Sequence, residues 1–179
     1  YISIPFAKII KELNIPICHR SDILNAFLRS HTSVAVTGTH GKTSTSAMMS
    51  QMLYEANYNP TALVGGEIIE FGTNSLQGSS QYLVAEVDES DQSIYKLSAN
   101  YAIITNLETD HLDHYKNLEE IISVMKQFLD NLPQDSKLII CKDSYGNNKL
   151  IENYTKDVVT YSIMQDSNAT YQATEINLS

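Results

Sequence analysis

Short hydrophobic runs alternate along this chain with longer segments that repeat their apolar residues at helical spacing. Near-continuous apolar runs are typical of strands that are covered on both faces, as in a parallel sheet. Such runs predict six strands, at residues 34–36, 61–64, 82–85, 101–105, 137–140 and about 158–161. The helical spacing predicts helices over residues 43–57 and 118–132. The alternation therefore predicts an α/β fold with a mainly parallel sheet flanked by helices.

The two predicted helices differ in the signals at their ends. Asn117 precedes the second helix and Glu120 stands three residues later, which predicts a capping pair, and Pro133 lies just beyond the end. The first helix carries an apolar stripe of five residues, Met48, Met49, Met52, Leu53 and Ala56. We expect the methionines of this stripe to fill the core.

Residues 1–31 differ in pattern from the rest of the chain. Residues 5–14 have a helical pattern, and residues 15–18 form a short extended piece. Residues 21–30 are helical again, with Ser21 as the expected N-cap. Because these elements precede the first strand, we interpret residues 1–31 as the end of a preceding domain with its linker.

Length and composition are those of a globular domain. The chain has 179 residues, of which 42% are hydrophobic and 18% are charged, and this excludes global disorder. No apolar run approaches the ~18 residues of a membrane span. We assign residues 32–179 to one main domain, incomplete at its C-terminus because the strand-like alternation of residues 171–179 stops in mid-pattern. Cys18 and Cys141 have no paired spacing, so we expect a reducing, cytoplasmic location.

Acidic residues are concentrated in the middle of the chain. The net charge of −9, from 21 acidic and 12 basic residues, argues against a nucleic-acid groove, which needs clustered Lys and Arg. Residues 82–120 contain nine of the acids and two lysines. Buried carboxylates without cations are costly. We therefore expect part of this cluster to face metal ions.

The sharpest motif lies between the first strand and the first long helix. Glycines let backbone N–H groups point at phosphate oxygens, and the helix N-terminus adds partial positive charge. Lys42 can reach the β- and γ-phosphates, and the Thr43 hydroxyl can bind Mg²⁺. A standard Walker A motif has a glycine where this chain has Val36, so the loop is compressed. The motif predicts a P-loop-type nucleotide-binding domain whose loop consists of Gly38, Thr39, His40, Gly41, Lys42, Thr43 and Ser44.

Two further polar segments follow strands directly. Residues 86–91 follow the strand at 82–85, and residues 106–114 follow the strand at 101–105. Because ligands of an open α/β sheet bind outside the carboxyl ends of its strands, we expect both segments to meet the phosphate loop. Their carboxylates can hold the Mg²⁺ that accompanies ATP. A solvated acidic turn is the alternative for the first segment, and helix-capping or surface residues are the alternative for the second.

Together, three motifs resemble those of the Mur ligases: 38–43, 85–91 and 105–113, in that family's order and spacing. Gly65 and Gly66 match it too, although a plain turn explains them equally well. The resemblance implies that residues 1–31 are a remnant of a Rossmann-like, UDP-sugar-binding domain and that 32–179 is a central ATP-binding domain. It also implies an ATP-dependent ligase of peptidoglycan precursor synthesis in the cytoplasm. Within that family, the resemblance is strongest to the member that joins L-alanine to the carboxylate of UDP-N-acetylmuramate through an acyl phosphate.

The resemblance further implies roles for individual residues. Lys42, Glu86 and His111 are the expected catalytic residues, with Lys42 on the β- and γ-phosphates. Thr43 and Glu86 are expected to hold one Mg²⁺, and Glu86 with His111 a second ion beside the substrate carboxylate. Because imidazole suits softer metals, Mn²⁺ is an alternative there. Asn106 is expected near the nucleotide, together with the residues of the phosphate loop.

Two other functions stay open at this point. A related ligase attaches a recycled tripeptide to the same nucleotide sugar and has a similar phosphate loop. A nucleotide-dependent switch, or a non-catalytic binding module, predicts nucleotide binding without a carboxylate substrate. For the leading interpretation we expect UDP-N-acetylmuramate and L-alanine as substrates, with no nucleic acid and no membrane insertion.

Overall fold

A single sheet organises the part of the chain that the computed structural model describes, namely residues 9–10, 12–89, 92–109, 115–164 and 167–176. Its eight strands are β1 (Thr32–Thr37), β2 (Thr61–Ile68), β3 (Thr73–Leu76), β4 (Tyr82–Glu86), β5 (Tyr101–Ile104), β6 (Lys137–Cys141), β7 (Asp157–Ser162) and β8 (Tyr171–Gln172). The helices are α1 (Arg20–Ser30), α2 (Lys42–Glu55), α3 (Leu118–Asn131) and α4 (Tyr145–Ile151), and Gln92–Lys96 form a 3₁₀ turn. Within the described ranges, none of the helices has the length and apolar character needed to cross a membrane.

The strand order is β3-β2-β4-β1-β5-β6-β7-β8, and every pair is parallel except β2 with β3. Strand β1 therefore lies in the middle, with β4 on one side and β5 on the other. Val36 is in register with Glu86 of β4, and Thr37 is in register with Ile104 of β5. The α/β class, the mainly parallel sheet and the six predicted strands are confirmed.

Helices cover both faces of the sheet, and the alternation of side chains along β1 shows how they are divided. Val34 and Val36 contact Met49 and Leu53 of α2 on one face. Ala35 belongs to the larger core on the other face, where α1, α3, α4 and the 3₁₀ turn pack. Both faces of the central strands are thus buried, which explains why their sequences are continuous apolar runs rather than alternating ones.

Three elements are absent from the sequence prediction: β3, α4 and the 3₁₀ turn. Their sequences are short and polar, so their conformations depend on tertiary partners. Asn147 of α4, for example, is fully buried and donates hydrogen bonds to the carbonyls of Thr105 (3.2 Å) and Cys141 (2.9 Å). The strand predicted over residues 171–179 was too long, since β8 is limited to Tyr171–Gln172 among the residues described there.

Two local predictions were wrong. Helix α1 begins at Arg20, and its N-cap is His19, whose Nδ1 accepts a hydrogen bond from the N–H of Ser21 (3.2 Å). An imidazole nitrogen can accept such a bond, although hydroxyls and carboxylates are the usual N-caps. Met48 and Met52 are 58% and 67% exposed instead of filling the core. The buried residues of α2 are instead the small Ser46 and Ser50.

Replacing Asn117 with alanine is expected to destabilise the protein by about 1 kcal/mol. Asn117 is the N-cap of α3, and its Oδ1 accepts a hydrogen bond from the N–H of Glu120 at 3.0 Å. The change leaves that N–H without its cap. Urea unfolding measures the difference, and Gln127→Ala, at an exposed position of the same helix, is the control with an expected change within about 0.5 kcal/mol. Equal midpoints for the two variants would contradict the capping role.

The division of the chain at residues 31 and 32 stays a prediction. Helix α1, which belongs to the first predicted segment, packs on the sheet through Leu28, which is 1% exposed and part of the main core. Its Asn25 also donates a hydrogen bond to the carbonyl of Lys96 at 2.9 Å. The helix is therefore structurally continuous with the sheet domain in the described residues.

Candidate functional site

Three polar loops meet at the carboxyl edge of the sheet, as the sequence predicts. They follow β1, β4 and β5, which are adjacent and parallel. The hydroxyl of Thr39, in the loop after β1, accepts a hydrogen bond from the N–H of Glu108, in the loop after β5, at 3.0 Å. The N–H of Thr39 in turn donates to the carbonyl of Asn106 at 2.9 Å. Direct hydrogen bonds between loops thus assemble the site.

The phosphate loop has two positions that require glycine. Gly38 and Gly41 have φ values of +127° and +81°, in a region that side chains rarely adopt. A Cβ at Gly38 would also collide with the hydroxyl of Thr105 and lie 2.8 Å from the carbonyl oxygen of Asn106. The close packing of these loops therefore depends on the missing side chain at Gly38.

Asn106 and Thr105 hold the phosphate loop in shape. The Asn106 side chain accepts a hydrogen bond from the N–H of His40 at 2.9 Å and donates one to the His40 carbonyl at 3.0 Å. The Thr105 hydroxyl donates to the same carbonyl at 2.6 Å. Both backbone groups of His40 are thus engaged by the loop after β5, while its side chain is exposed, as is that of Ser44. Asn106 therefore supports the loop directly.

Lys42, the first residue of α2, reaches back under the phosphate loop. Its ammonium donates hydrogen bonds to the carbonyls of Gly38 (2.6 Å) and Thr39 (3.2 Å). It also forms an ion pair with the carboxylate of Glu89, at 2.8 Å from Oε2. The positive charge lies where the N-terminus of α2 and the loop N–H groups can receive an anion.

The carboxylate of Glu86, at the end of β4, lies beside Thr43. The Thr43 hydroxyl donates to Oε1 at 3.0 Å, the Gly65 N–H donates to Oε2 at 2.6 Å, and the Ser46 hydroxyl is 3.4 Å from Oε2. A Cβ at Gly65 would approach the carboxylate carbon of Glu86 to 2.7 Å. Gly65 lies inside β2 and not in a turn. Its function is to let β2 come close enough for its N–H to orient Glu86.

His111, the third expected catalytic residue, lies outside the described residues, as do Asp110 and Asp113. Within the described ranges, His, Cys, Asp and Glu side chains form no group of three or more that could hold a metal ion. The oxygen atoms of Thr43 and Glu86 are the described part of the predicted metal site. The assignment of His111 as a ligand stays a prediction.

An open cleft of about 690 Å³ lies beside Lys42 and Glu86. One part of its lining is apolar and comes from α1 and β2, whereas the other part is charged. The lining includes Ile23, Phe27 and Leu63 on the apolar side and Arg20, Lys42, Glu86 and Asp88 on the charged side. The contribution of α1 was missed in the sequence prediction, because nothing in its pattern shows which exposed apolar residues face the loops. A cleft with both apolar and charged lining suits a polar organic ligand.

Side chains alternate between two sides from Glu86, the last residue of β4, to Glu89, and this places the acids in different environments. Glu86 and Asp88 line the cleft, whereas Val87 and Glu89 are only 3% and 2% exposed. The sequence alone gives Glu89 no role that distinguishes it from the other acids of the cluster. Alternation along a strand was the available signal, but a loop immediately after a strand need not keep it.

Comparison with known families gives a match over most of the chain. The family described as "Mur ligase middle domain" matches residues 36–179. A curated relative from Nostoc sp. (strain PCC 7120), named UDP-N-acetylmuramate–L-alanine ligase, is 45% identical over 170 residues. That alignment covers 93% of this chain and 34% of the relative. The chain thus spans about a third of the length of the relative.

Solved structures share the fold. UDP-N-acetylmuramate-alanine ligase from Thermotoga maritima superposes with a TM-score of 0.72 at 29% identity, covering 87% of this chain and 35% of that one. UDP-N-acetylmuramate:L-alanyl-γ-D-glutamyl-meso-diaminopimelate ligase from Neisseria meningitides gives a TM-score of 0.79 at 22% identity, covering 90% and 55%. At that lower identity the second likeness concerns the fold alone.

Proposed function

Because the chain belongs to the Mur ligase family, we propose that it is the ATP-binding part of an enzyme that joins L-alanine to UDP-N-acetylmuramate. One observation carries the proposal: the Lys42 ammonium and the Thr43–Glu86 oxygen pair lie together at the loop between β1 and α2. An ammonium group beside a hydroxyl and a carboxylate is suited to the transfer of a phosphoryl group between two anions. The barrier of that reaction is mostly electrostatic and positional. We place the reaction in the cytoplasm, in the synthesis of the peptidoglycan precursor on which cell shape and division depend.

ATP binds with its triphosphate on the phosphate loop. Backbone N–H groups of the loop and the N-terminus of α2 receive the phosphate oxygens. Lys42 contacts the β- and γ-phosphates, exchanging its bonds to the Gly38 and Thr39 carbonyls for bonds to phosphate. Asn106 keeps the loop closed through both backbone groups of His40.

The described residues fit a magnesium ion. Thr43 and Glu86 provide a hydroxyl and a carboxylate 3.0 Å apart, and hard oxygen donors are the ligands that Mg²⁺ prefers. Glu86 and His111 are the proposed ligands of a second ion, for which Mn²⁺ is the alternative because of the imidazole. Bound ions neutralise the charge of the phosphate groups and of the substrate carboxylate.

The reaction has two steps. The carboxylate oxygen of UDP-N-acetylmuramate attacks the γ-phosphorus, the bond to the β,γ-bridging oxygen breaks, and ADP leaves with that electron pair. The amine of L-alanine then attacks the acyl carbon of the resulting acyl phosphate. Inorganic phosphate leaves, and the amine loses a proton to the solvent. Lys42 stabilises the charge on the transferred phosphoryl group, and Glu86 and Thr43 would hold the metal ion that offsets this charge.

The tripeptide-recycling ligase is the second candidate. The sequence favours the L-alanine-adding enzyme, because relatives of that name reach 45–51% identity to this chain. Among the superposed structures, the L-alanine-adding enzyme from Thermotoga is 29% identical and the recycling enzyme from Neisseria 22%. A high TM-score with the recycling enzyme is expected for either function, since both enzymes contain the same middle-domain fold.

The proposed function predicts that the purified full-length protein releases ADP only when ATP, UDP-N-acetylmuramate and L-alanine are all present. A coupled assay of ADP release, with each component omitted in turn, measures this dependence. Release with L-alanyl-γ-D-glutamyl-meso-diaminopimelate instead of L-alanine would assign the recycling reaction. Release with ATP alone would favour the nucleotide switch and contradict the ligase proposal.

A further inference from the structure

The ion pair between Lys42 and Glu89 is the most buried one among the described residues. The side chains of Lys42 and Glu89 are 14% and 3% exposed, and both carboxylate oxygens of Glu89 are shielded from solvent. The ion pair Lys149–Glu152 has nearly the same length, 2.9 Å, but its side chains are 43% and 58% exposed. Exposed pairs of this kind contribute little, whereas removing one partner of a buried pair leaves an uncompensated charge.

The segment that carries Glu89 is anchored on both sides. The N–H of Val87 donates a hydrogen bond to the carbonyl of Val36 in β1 at 2.8 Å. The buried hydroxyl of Tyr115 donates to the backbone carbonyl of Glu89. The position of the Glu89 backbone is therefore fixed by the central strand and by the start of the region that leads into α3.

Lys42 has three donor hydrogens, and among the described residues it contacts the carbonyls of Gly38 and Thr39 and the carboxylate of Glu89. An incoming phosphate can replace the contacts with the two carbonyls more easily than the contact with Glu89. The two carbonyls are neutral and belong to the loop itself. Glu89 is a buried anion, and breaking a buried ion pair is much more costly than exchanging a hydrogen bond to a neutral carbonyl. The ammonium therefore keeps Glu89 as a partner while it turns its other two hydrogens to phosphate.

We propose that Glu89 is a positioning residue for phosphoryl transfer, whose buried carboxylate holds the Lys42 ammonium in place beneath the phosphate loop. The inference depends on the function proposed above, and it assigns Glu89 an effect on the rate rather than on ATP binding. Glu89 is buried and does not line the cleft, and its negative charge beneath the phosphate loop opposes nucleotide binding. Its removal therefore leaves the affinity for ATP unchanged or makes it higher, while the misplaced ammonium stabilises the transferred phosphoryl group less well.

The test uses Glu89→Gln and Glu89→Asp in the full-length protein, with kcat and the KM for ATP measured at saturating UDP-N-acetylmuramate and L-alanine. For Glu89→Gln we expect kcat to fall at least tenfold with a KM for ATP no higher than that of the wild type. Glu89→Asp keeps the charge and is expected to retain an intermediate kcat. Calorimetric binding of a non-hydrolysable ATP analogue checks that the affinity does not fall. Glu152→Gln, which breaks the exposed ion pair, is the matched control with unchanged kcat.

Several outcomes overturn the proposal. A kcat of Glu89→Gln within twofold of the wild type would do so, as would a raised KM for ATP with an unchanged kcat. If Glu89→Gln does not fold, the same criteria are applied to Glu89→Asp. If neither variant folds, Glu89 has a structural role only, and the proposal is refuted. Absence of ADP release by the wild-type protein would instead refute the proposed function, which keeps the two failures distinguishable.

Discussion

Replacing Lys42 with alanine is expected to lower the rate of ADP release by a factor of about 10²–10³, equivalent to about 3–4 kcal/mol of transition-state stabilisation. Lys42 is the cation that lies beneath the phosphate loop, within 2.6 Å of the Gly38 carbonyl. Its loss removes charge stabilisation from the phosphoryl group during transfer. The coupled ADP assay on the full-length protein measures the effect, and Lys126→Ala, at an exposed position of α3, is the control.

The Lys42→Ala change also breaks the buried ion pair with Glu89. It removes a cation that is paired with the buried Glu89 carboxylate, so we also expect a loss of stability. The double variant Lys42→Ala/Glu89→Gln removes both charges and is expected to recover most of the thermal stability without recovering turnover. Recovery of turnover in the double variant, or turnover near the wild-type rate in the single one, would refute the assignment of the phosphate loop.

Replacing Glu86 with glutamine is expected to lower turnover by a factor of about 10² at physiological Mg²⁺ concentration. Glutamine has nearly the same shape and can still accept the Gly65 N–H bond, but it lacks the negative charge with which Glu86 is proposed to hold Mg²⁺. The loss should become smaller as the Mg²⁺ concentration is raised. The rate of ADP release, measured over a range of MgCl₂ concentrations, gives both the loss of turnover and its dependence on Mg²⁺.

Gly65→Ala tests the same carboxylate without removing its charge. The new Cβ would lie 2.5 Å from Oε1 of Glu86, so the carboxylate has to shift from its position beside Thr43 and the Gly65 N–H. We expect an activity between those of Glu86→Gln and the wild type. Glu67→Gln, an exposed acid in the same strand, is the control. Wild-type turnover by Glu86→Gln at every Mg²⁺ concentration would exclude Glu86 as the metal-holding residue.

The sequence prediction succeeded where burial on both sides leaves a clear pattern. The strands next to the site are continuous apolar runs, and α3 places Ile121, Met125, Phe128 and Leu129 in the core at regular helical spacing. The apolar positions of α2 gave a less reliable prediction. Its buried face carries Ser46 and Ser50, which are polar in sequence but satisfied by carbonyls of the preceding turn. Residue type alone therefore assigned Met48 and Met52 to the wrong environment.

The convergence of the loops also followed from the sequence, because parallel strands place their carboxyl ends at one edge. The glycines of the phosphate loop, Lys42, Thr43 and Glu86 could all be found from motifs and their spacing. His111 was predicted in the same way and stays a prediction, as does the division of the chain at residues 31 and 32. The chemistry of a site is readable in this manner when its residues directly follow predicted strands.

Contacts between segments distant in sequence were decided by the tertiary structure alone. Gly65 meets Glu86 across neighbouring strands, and α1 supplies an apolar part of the cleft from a segment assigned to a preceding domain. Glu86 and Glu89 look equivalent in the sequence, but one lines the cleft and the other is buried against Lys42. The sequence by itself determined the sheet, its loop edge and the motif residues, since these depend on local pattern and strand direction. Only the packing of strands and helices decided which acid holds which partner, because burial depends on every element around the side chain.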